Sequence, residues 1–342
     1  MKRSVRLITL LLSLLIVGNL VACAHGSPAE FISGDIELIY NFDSYFMPEE
    51  IVYIDTALDA IPLSAAPAVF TIPVPSASGT RHATNHRAAI DFSNVRDGYV
   101  MARVTRNTTT QIRVTVVGPG GVVYQYRLNG SSNWEVFPLS AGNGSYTVRV
   151  LEQIEGSRFS VINTATFSVS LTNEFVPFLR PNQFVNFNRD SAVTAKAAEL
   201  IDGISGFHPR VEAIYNFVIN NIRYDRVFAR EVQRGMHSGY VPDVDAVLER
   251  RRGICFDYAS LMAAMLRSIG IPTRLVIGYA GDQFHAWIDV FSETEGWVNN
   301  AIRFDGRRWI LMDPTFAATG NQSAEVMRFI GDGTNYSPRF RR

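Results

Sequence analysis

The spacing of apolar residues changes once along the chain. Between about residues 87 and 171 they recur at every second position. Ile112, Val114 and Val116 alternate with Gln111, Arg113 and Thr115, and Tyr146, Val148 and Val150 alternate with Thr147 and Arg149. Phe167, Val169 and Leu171 repeat the pattern. Successive side chains of a strand point to opposite faces, so each run has one buried face and one wet face. Gly118-Pro119-Gly120-Gly121, Asn129-Gly130 and Asn143-Gly144 supply turn residues, and residues 122–128 read as a return strand. Several short strands with frequent turns predict a β-sandwich-like domain over residues 87–175, immunoglobulin-like in outline but without the cysteine pair of antibody domains.

From Asp190 the period becomes helical. Asp190 is the expected N-cap of a helix over residues 192–201, with Gly203 ending it. Pro209 suits the first turn of a second helix whose stripe is Ile214, Phe217, Val218 and Ile222, and Asp243 caps a short third one. The strongest pattern follows Cys255: Leu261, Met262, Met265, Leu266 and Ile269 recur at spacings of three and four, Gly270 closes the helix, and Pro272 stops its continuation. Residues 273–279 and 285–290 then read as strands, and an apolar run ends at Asp313-Pro314. The fold class expected is α+β for residues 176–342, with helices packed on a mostly antiparallel sheet that carries His285 and Asp313.

The first residues have a different character. Lys2, Arg3 and Arg6 precede an apolar run over residues 7–17, which has the order of a secretory signal and is short for a membrane span. Leu20-Val21-Ala22-Cys23 resembles the lipobox of bacterial lipoproteins. That resemblance implies a signal peptide over residues 1–22 and lipidation of Cys23; an ordinary signal peptide cleaved elsewhere is the alternative. The expected location is exported, lipid-anchored to the outer face of the bacterial cell membrane. Residues 23–86, punctuated by Pro48, Pro62, Pro67, Pro73 and Pro75, read as a tether or irregular segment.

Composition narrows the partners. The 342 residues exceed one average domain, and 47% of them are hydrophobic. Lys+Arg and Asp+Glu are equal at 32 each, so no charge excess points to nucleic acid. The run Arg250-Arg251-Arg252 reads as a solvated face or local structure. His82 and His86 lie four apart without a third ligand, so neither a metal nor a cofactor is expected. The partners expected are a protein or peptide substrate at the cell envelope and, through the lipid, the membrane.

The chain has two cysteines, Cys23 and Cys255. Lipidation of the first would leave Cys255 as a lone thiol, which is either an inert core residue or a reactive one. Its place at the start of a buried helix favours the thiolate, because unpaired N–H groups and the macrodipole converge there. The same N–H groups can stabilise an oxyanion. His285, at the start of a strand, can deprotonate the thiol and then protonate a leaving amine. Asp313 can orient the imidazole and stabilise its cation.

Together these pieces resemble the transglutaminase-like superfamily, relatives of papain-like thiol enzymes. The matching text is Gly253-Ile254-Cys255, Gly270-Ile271-Pro272-Thr273-Arg274 with Gly278-Tyr279, His285-Ala286-Trp287, and Asp313-Pro314-Thr315, within residues 195–320. The resemblance implies that Cys255 is the nucleophile, His285 the base and acid, and Asp313 the orienter. Ile222-Arg223-Tyr224-Asp225 is similar to a segment preceding the nucleophile in many members, so Tyr224 either lines the site or packs in the core. The tail from Phe329 to Tyr336 also resembles exported bacterial members, but nothing in it is assigned chemistry.

One departure is the insertion of residues 293–308 between the His and Asp segments, which predicts an extra strand or hairpin beside the site. Trp287, Trp297 and Trp309 in this region read as core packing before substrate contact. There is no acidic cluster of calcium-loop type, and the second oxyanion donor is unassigned. The function expected is a thiol enzyme acting on peptide or carboxamide bonds through a thioester. It is either a protease or amidase with water as acceptor, or a cross-linking acyltransferase with an amine. A non-catalytic binding or scaffold protein is the competing class.

Overall fold

The alternating half of the chain builds two sheets around one core. The computed structural model describes residues 31–33, 70–281, 283–294, 296–298, 303–304, 309–310, 313–319 and 335–342. Cys23, the leader and most of the expected tether lie outside the described residues. The strands of the first half are β1 (Phe31–Ser33), β2 (His82–Thr84), β3 (Ala88–Asp91), β4 (Tyr99–Val104), β5 (Ile112–Val117), β6 (Val123–Leu128), β7 (Glu135–Pro138), β8 (Gly144–Glu155) and β9 (Arg158–Val169). One sheet has the order β2-β3-β4-β7 and the other β1-β9-β8-β5-β6. Strands β1 and β2 come from the segment read as a tether.

Val114 and Val116 from one sheet and Ile90, Val100 and Phe137 from the other share a single cluster. The turn over residues 118–121 falls where expected, with Gly120 at φ 72°, a left-handed conformation that β-carbons disfavour.

The second half contains helices α1 (Ala192–Leu200), α2 (Phe207–Asn221), α3 (Arg226–Gln233), α4 (Val244–Arg250), α5 (Cys255–Ser268) and α6 (Pro314–Thr319). Its strands are β10 (Arg223–Tyr224), β11 (Arg252–Gly253), β12 (Thr273–Ala280), β13 (Gln283–Ser292), β14 (Gly296–Val298), β15 (Arg303–Phe304), β16 (Trp309–Ile310) and β17 (Tyr336–Arg341). Every residue of α5 is buried, its few polar ones Asp257, Ser260, Arg267 and Ser268 included, as a helix packed on all sides requires. It packs against the sheet β14-β13-β12-β17 on one side and α1, α2 and α4 on the other. All pairings in that sheet are antiparallel.

Three details differ from the sequence expectations. The N-cap of α1 is Ser191, because Asn188 accepts the Asp190 N–H at 2.7 Å and holds Asp190 in the preceding turn. Helix α1 ends at Leu200, before Gly203. Asp313 does not belong to the sheet that carries His285: it sits between β16, which pairs with β15, and the start of α6. Pro314 has no N–H to lose at a helix start, so Asp-Pro opens a helix as well as ending the run before it. The inserted residues supply β14 at the edge of β13 and β15, which pairs with β16 just beyond the insertion.

The two halves share a seam. Phe184 and Phe340 each pack against both cores. Gln183 accepts the Arg127 N–H at 3.3 Å and donates to the Arg127 carbonyl, capping the free edge of β6.

Candidate active site

Cys255 is the first residue of α5, preceded by Ile254 in extended conformation. Asp257, in the first helical turn, accepts the Ile254 N–H at 2.8 Å and so fixes the entry of the chain. A β-carbon on Gly253 would collide with that of Asp257, which explains the glycine before Ile254-Cys255. Asp257 also accepts from Tyr240 Oη at 2.5 Å and from Arg250 at 3.2 Å, and burial pushes its carboxyl up. Arg250 thus supports the helix entry, and Arg252 pairs with Asp225 at 2.9 Å. The arginine run is local structure.

The parallel pair β10–β11 puts Tyr224 opposite Gly253. Tyr224 lies along the same cavity as Cys255. Burial, then the neighbouring Cys255, pushes its hydroxyl up, so it stays protonated and able to donate.

His285 is the third residue of β13 and faces α5 from the sheet. Its Nε2 lies 2.6 Å from Asp313 Oδ2. The imidazole also hydrogen-bonds the Cys255 thiol. With Nε2 committed to the carboxylate, Nδ1 is the nitrogen left for sulfur. All three groups are withdrawn from water: Cys255 is 7% exposed, His285 4% and Asp313 1%. Burial alone would push the imidazole down. The charge and hydrogen bond of Asp313 outweigh it, with Cys255 adding to them, and hold the imidazole at about 10.

Asp313 is itself held. Its Oδ1 accepts the Thr315 N–H at 2.9 Å, the first turn of α6. Its Oδ2 also accepts from Tyr336 Oη at 3.3 Å. Tyr336 stands edge-on to Trp287, whose ring stacks beside His285. Strand β17 brings Tyr336 there by pairing with β12, and a β-carbon on Gly278 would strike the Ser337 carbonyl oxygen. That close approach is the reason for the glycine of Gly278-Tyr279.

Sequence reasoning named Cys255, His285 and Asp313, and the structure brings their side chains together. It passed over Tyr336, whose strand gave no chemical signal. It also passed over the sandwich residues. A cavity of about 390 Å³ reaches Cys255 and His285, and one of its walls is Gln125, Tyr126 and Arg127 of β6. Trp287 and Trp297 are packed in rings of aromatic neighbours and do not line this cavity. The side chain of Trp309 lies outside the described residues. Among the described residues no cluster of His, Cys, Asp and Glu could hold a metal.

Comparison with known proteins bears on the domain as a whole. A protein-glutamine gamma-glutamyltransferase of Pseudomonas aeruginosa is 33% identical over 69 residues, 16% of this chain. The chain spans 10% of that relative's length. An uncharacterized protein of Mycobacterium leprae is 28% identical over 213 residues, which is 57% of this chain and 71% of that protein. The solved periplasmic domain of TgpA from Pseudomonas aeruginosa, bound to ethylmercury, aligns with a TM-score of 0.29 and 17% identity over 64% of this chain and 93% of that one. The family model described as the transglutaminase-like superfamily matches residues 194–314, and this part of the chain is a transglutaminase-like superfamily domain.

Proposed function

We propose that the chain is a thiol acyl-transfer enzyme that cleaves peptide or carboxamide bonds. It would work at the cell envelope, held to the membrane by lipid on Cys23. The observation that carries this reading is the chain of contacts from the Cys255 thiol through His285 to Asp313, with Cys255 and His285 lining a cavity. Cys255 Sγ attacks the carbonyl carbon of the substrate, and a C–S bond forms. The oxyanion is received by the N–H groups that open α5, with the Tyr224 hydroxyl as second donor. The imidazolium gives its proton to the departing nitrogen, the C–N bond breaks, and a thioester remains. Water or an amine then attacks the thioester while His285 takes its proton, and the C–S bond breaks to return the thiol. Water as acceptor makes the enzyme a protease or amidase, and an amine makes it a cross-linker. We favour water, since nothing among the described residues that line the cavity excludes it.

The test is alkylation of the full chain by iodoacetamide across pH, with peptide mass mapping to separate Cys255 from Cys23. Labelling of Cys255 should be fast well below the free-thiol range of about 8.5. His285→Ala should slow it about 10- to 100-fold at neutral pH. Slow labelling at every pH, or indifference to His285→Ala, would falsify the thiol mechanism. The non-catalytic binding or scaffold reading would then take its place.

A further inference from the structure

The cavity at Cys255 has a charge that the chain as a whole does not. Lys+Arg and Asp+Glu balance at 32 each over the sequence. Yet Arg113, Arg127, Arg234 and Arg342 line this cavity and, among the described residues, no aspartate or glutamate does. None of these four arginines forms an ion pair with a described carboxylate. A cleft of one sign between low-dielectric walls concentrates counter-charged solutes.

Three of the arginines, Arg113, Arg127 and Arg342, are also placed where like charge or burial costs stability, a cost that aromatic faces, such as Phe159 at 4.0 Å from the Arg113 guanidinium, offset without supplying a counter-charge. Arg113 and Arg127 stand directly opposite each other in the β5–β6 ladder. Like charges at that position repel. Burial, then Arg127, lowers the pKa of Arg113. Arg127 is pinned rather than free: it packs on Gly239, at φ 77°, where a β-carbon would strike its guanidinium. Arg342 is 6% exposed. Its guanidinium lies over Tyr126 and Phe184 at 4.6 and 4.5 Å, its Nε has no hydrogen-bond partner, and its other nitrogens reach the Gln125 carbonyl only at 3.4 Å. A buried guanidinium with an open donor and no counter-anion is expensive. A planar fork of donors facing a cavity suits a carboxylate or phosphate.

We propose that the sandwich edge makes this cleft selective for an acyl donor bearing a carboxylate near the scissile carboxamide, with Arg113, Arg127, Arg234 and Arg342 as its anion-binding wall. The inference rests on the acyl-transfer reading for the place of the scissile bond. A peptide is favoured over a phosphate compound because the rest of the lining, including Phe184, Phe256, Phe284 and Phe340, is apolar and suits side chains. The carboxylate can come from an acidic side chain or from a free chain end.

Fluorescence anisotropy with the full chain tests this, because binding does not depend on a reactive thiol. The probes are an oligoglutamate amide, an oligoglutamine amide, an oligoglutamine with a free terminal carboxylate, and an oligolysine amide. At low salt the oligoglutamate amide should bind at least about tenfold tighter than the oligoglutamine amide and the basic peptide, and salt should weaken it. Arg127→Gln and Arg234→Gln, both at exposed positions, and Arg113→Gln should each weaken it about threefold to tenfold. Tight binding of the free-ended oligoglutamine also supports the proposal and names the chain end as the source. Equal affinity for the neutral peptide, no effect of the three substitutions, or displacement by inorganic phosphate at comparable concentration overturns it. A reactive Cys255 in a protein blind to peptide charge sinks the anionic cleft alone. An inert Cys255 in a protein that discriminates sinks the acyl-transfer reading alone.

Discussion

The two halves of the molecule are both well buried, but they bury different things. In the sandwich, Tyr146, Val148 and Val150 are fully covered while Thr147 and Arg149 between them keep contact with water. Its fully sequestered groups are almost all apolar. In the transglutaminase-like domain, Asp257, Ser260, Arg267, His285, Asp289 and Asp313 are buried as well. A buried charge is costly unless it is hydrogen-bonded, and for Asp257, Arg267, His285 and Asp313 the partners are there. Arg267 donates to the Thr273 carbonyl at 2.8 Å, to the Arg180 carbonyl at 2.8 Å and to the Arg342 oxygen at 2.7 Å, while burial lowers its pKa to about 9. The contrast teaches that one half is held by area and the other by area plus a network that only correct geometry satisfies. The cavity lies where the network meets the edge of the other half.

The largest effect expected from breaking that contrast is at Asp313. In Asp313→Asn the imidazole loses the charge that does most to hold it up, and against the burial that pushes it down only the smaller contribution of Cys255 and a neutral hydrogen bond remain. Turnover of any substrate should fall about 10³-fold, and iodoacetamide labelling of Cys255 at neutral pH should fall with it. The pH dependence of stability follows in sign. His285 has a folded pKa raised from 6.5 to about 10, so its contribution is complete below 6.5 and is lost as pH rises through about 10. Denaturant titrations of the wild type at pH 7 and pH 10 should show that loss, and Asp313→Asn should not. An unchanged difference between the two pH values would remove Asp313 as its cause.

The sandwich should respond to loss of area alone. Phe137 is fully buried and stands edge-on to Tyr126, the ring beneath the cavity wall. Phe137→Ala should cost about 3–5 kcal/mol of unfolding free energy, read from a denaturant midpoint. Iodoacetamide labelling of Cys255 should change by less than about threefold, because none of the labelling machinery lies in that core. A loss of labelling as large as that of Asp313→Asn would mean that the two halves are one cooperative unit, and the contrast would fail.

How much of this was legible in the sequence differs between the halves for the same physical reason. Strand alternation is a local signal, so β5, β6 and β8 could be read from Ile112, Tyr124 and Val148 without knowing what they pack against. The helix after Cys255 was equally plain, and Gly253, Gly270 and Pro272 marked its ends. Cys255, His285 and Asp313 could be named because each sits at an element boundary with its own local pattern. The route that joins them could not, because it runs through contacts distant in sequence. Asp313 was expected on a strand beside His285, but it meets Nε2 from the start of α6. Tyr336 reaches the site only because β17 pairs with β12 at Gly278. Arg113 and Arg127 look like ordinary wet-face residues of two strands; only the packing of Gly239 and its neighbours on that edge encloses them in a cavity shared with Cys255.

The smallest effect belongs to Tyr336 and sharpens the contrast most, because it separates positioning from packing. Its hydroxyl donates to the same Asp313 oxygen that holds His285, at a long 3.3 Å, and Tyr336→Phe removes that donor while keeping the ring against Trp287. The loss of stability should be no more than about 1 kcal/mol. The labelling rate of Cys255 should drop by no more than about fivefold, equivalent to a free-energy change of similar size. A packing role would end there. A positioning role predicts one thing more: Asp313 Oδ2 loses a neutralising donor and holds the imidazolium more strongly. The alkaline limb of the labelling profile should therefore move to higher pH in Tyr336→Phe. If the limb stays in place while the rate falls, Tyr336 acts as part of the wall around His285 and not on the charge that holds it.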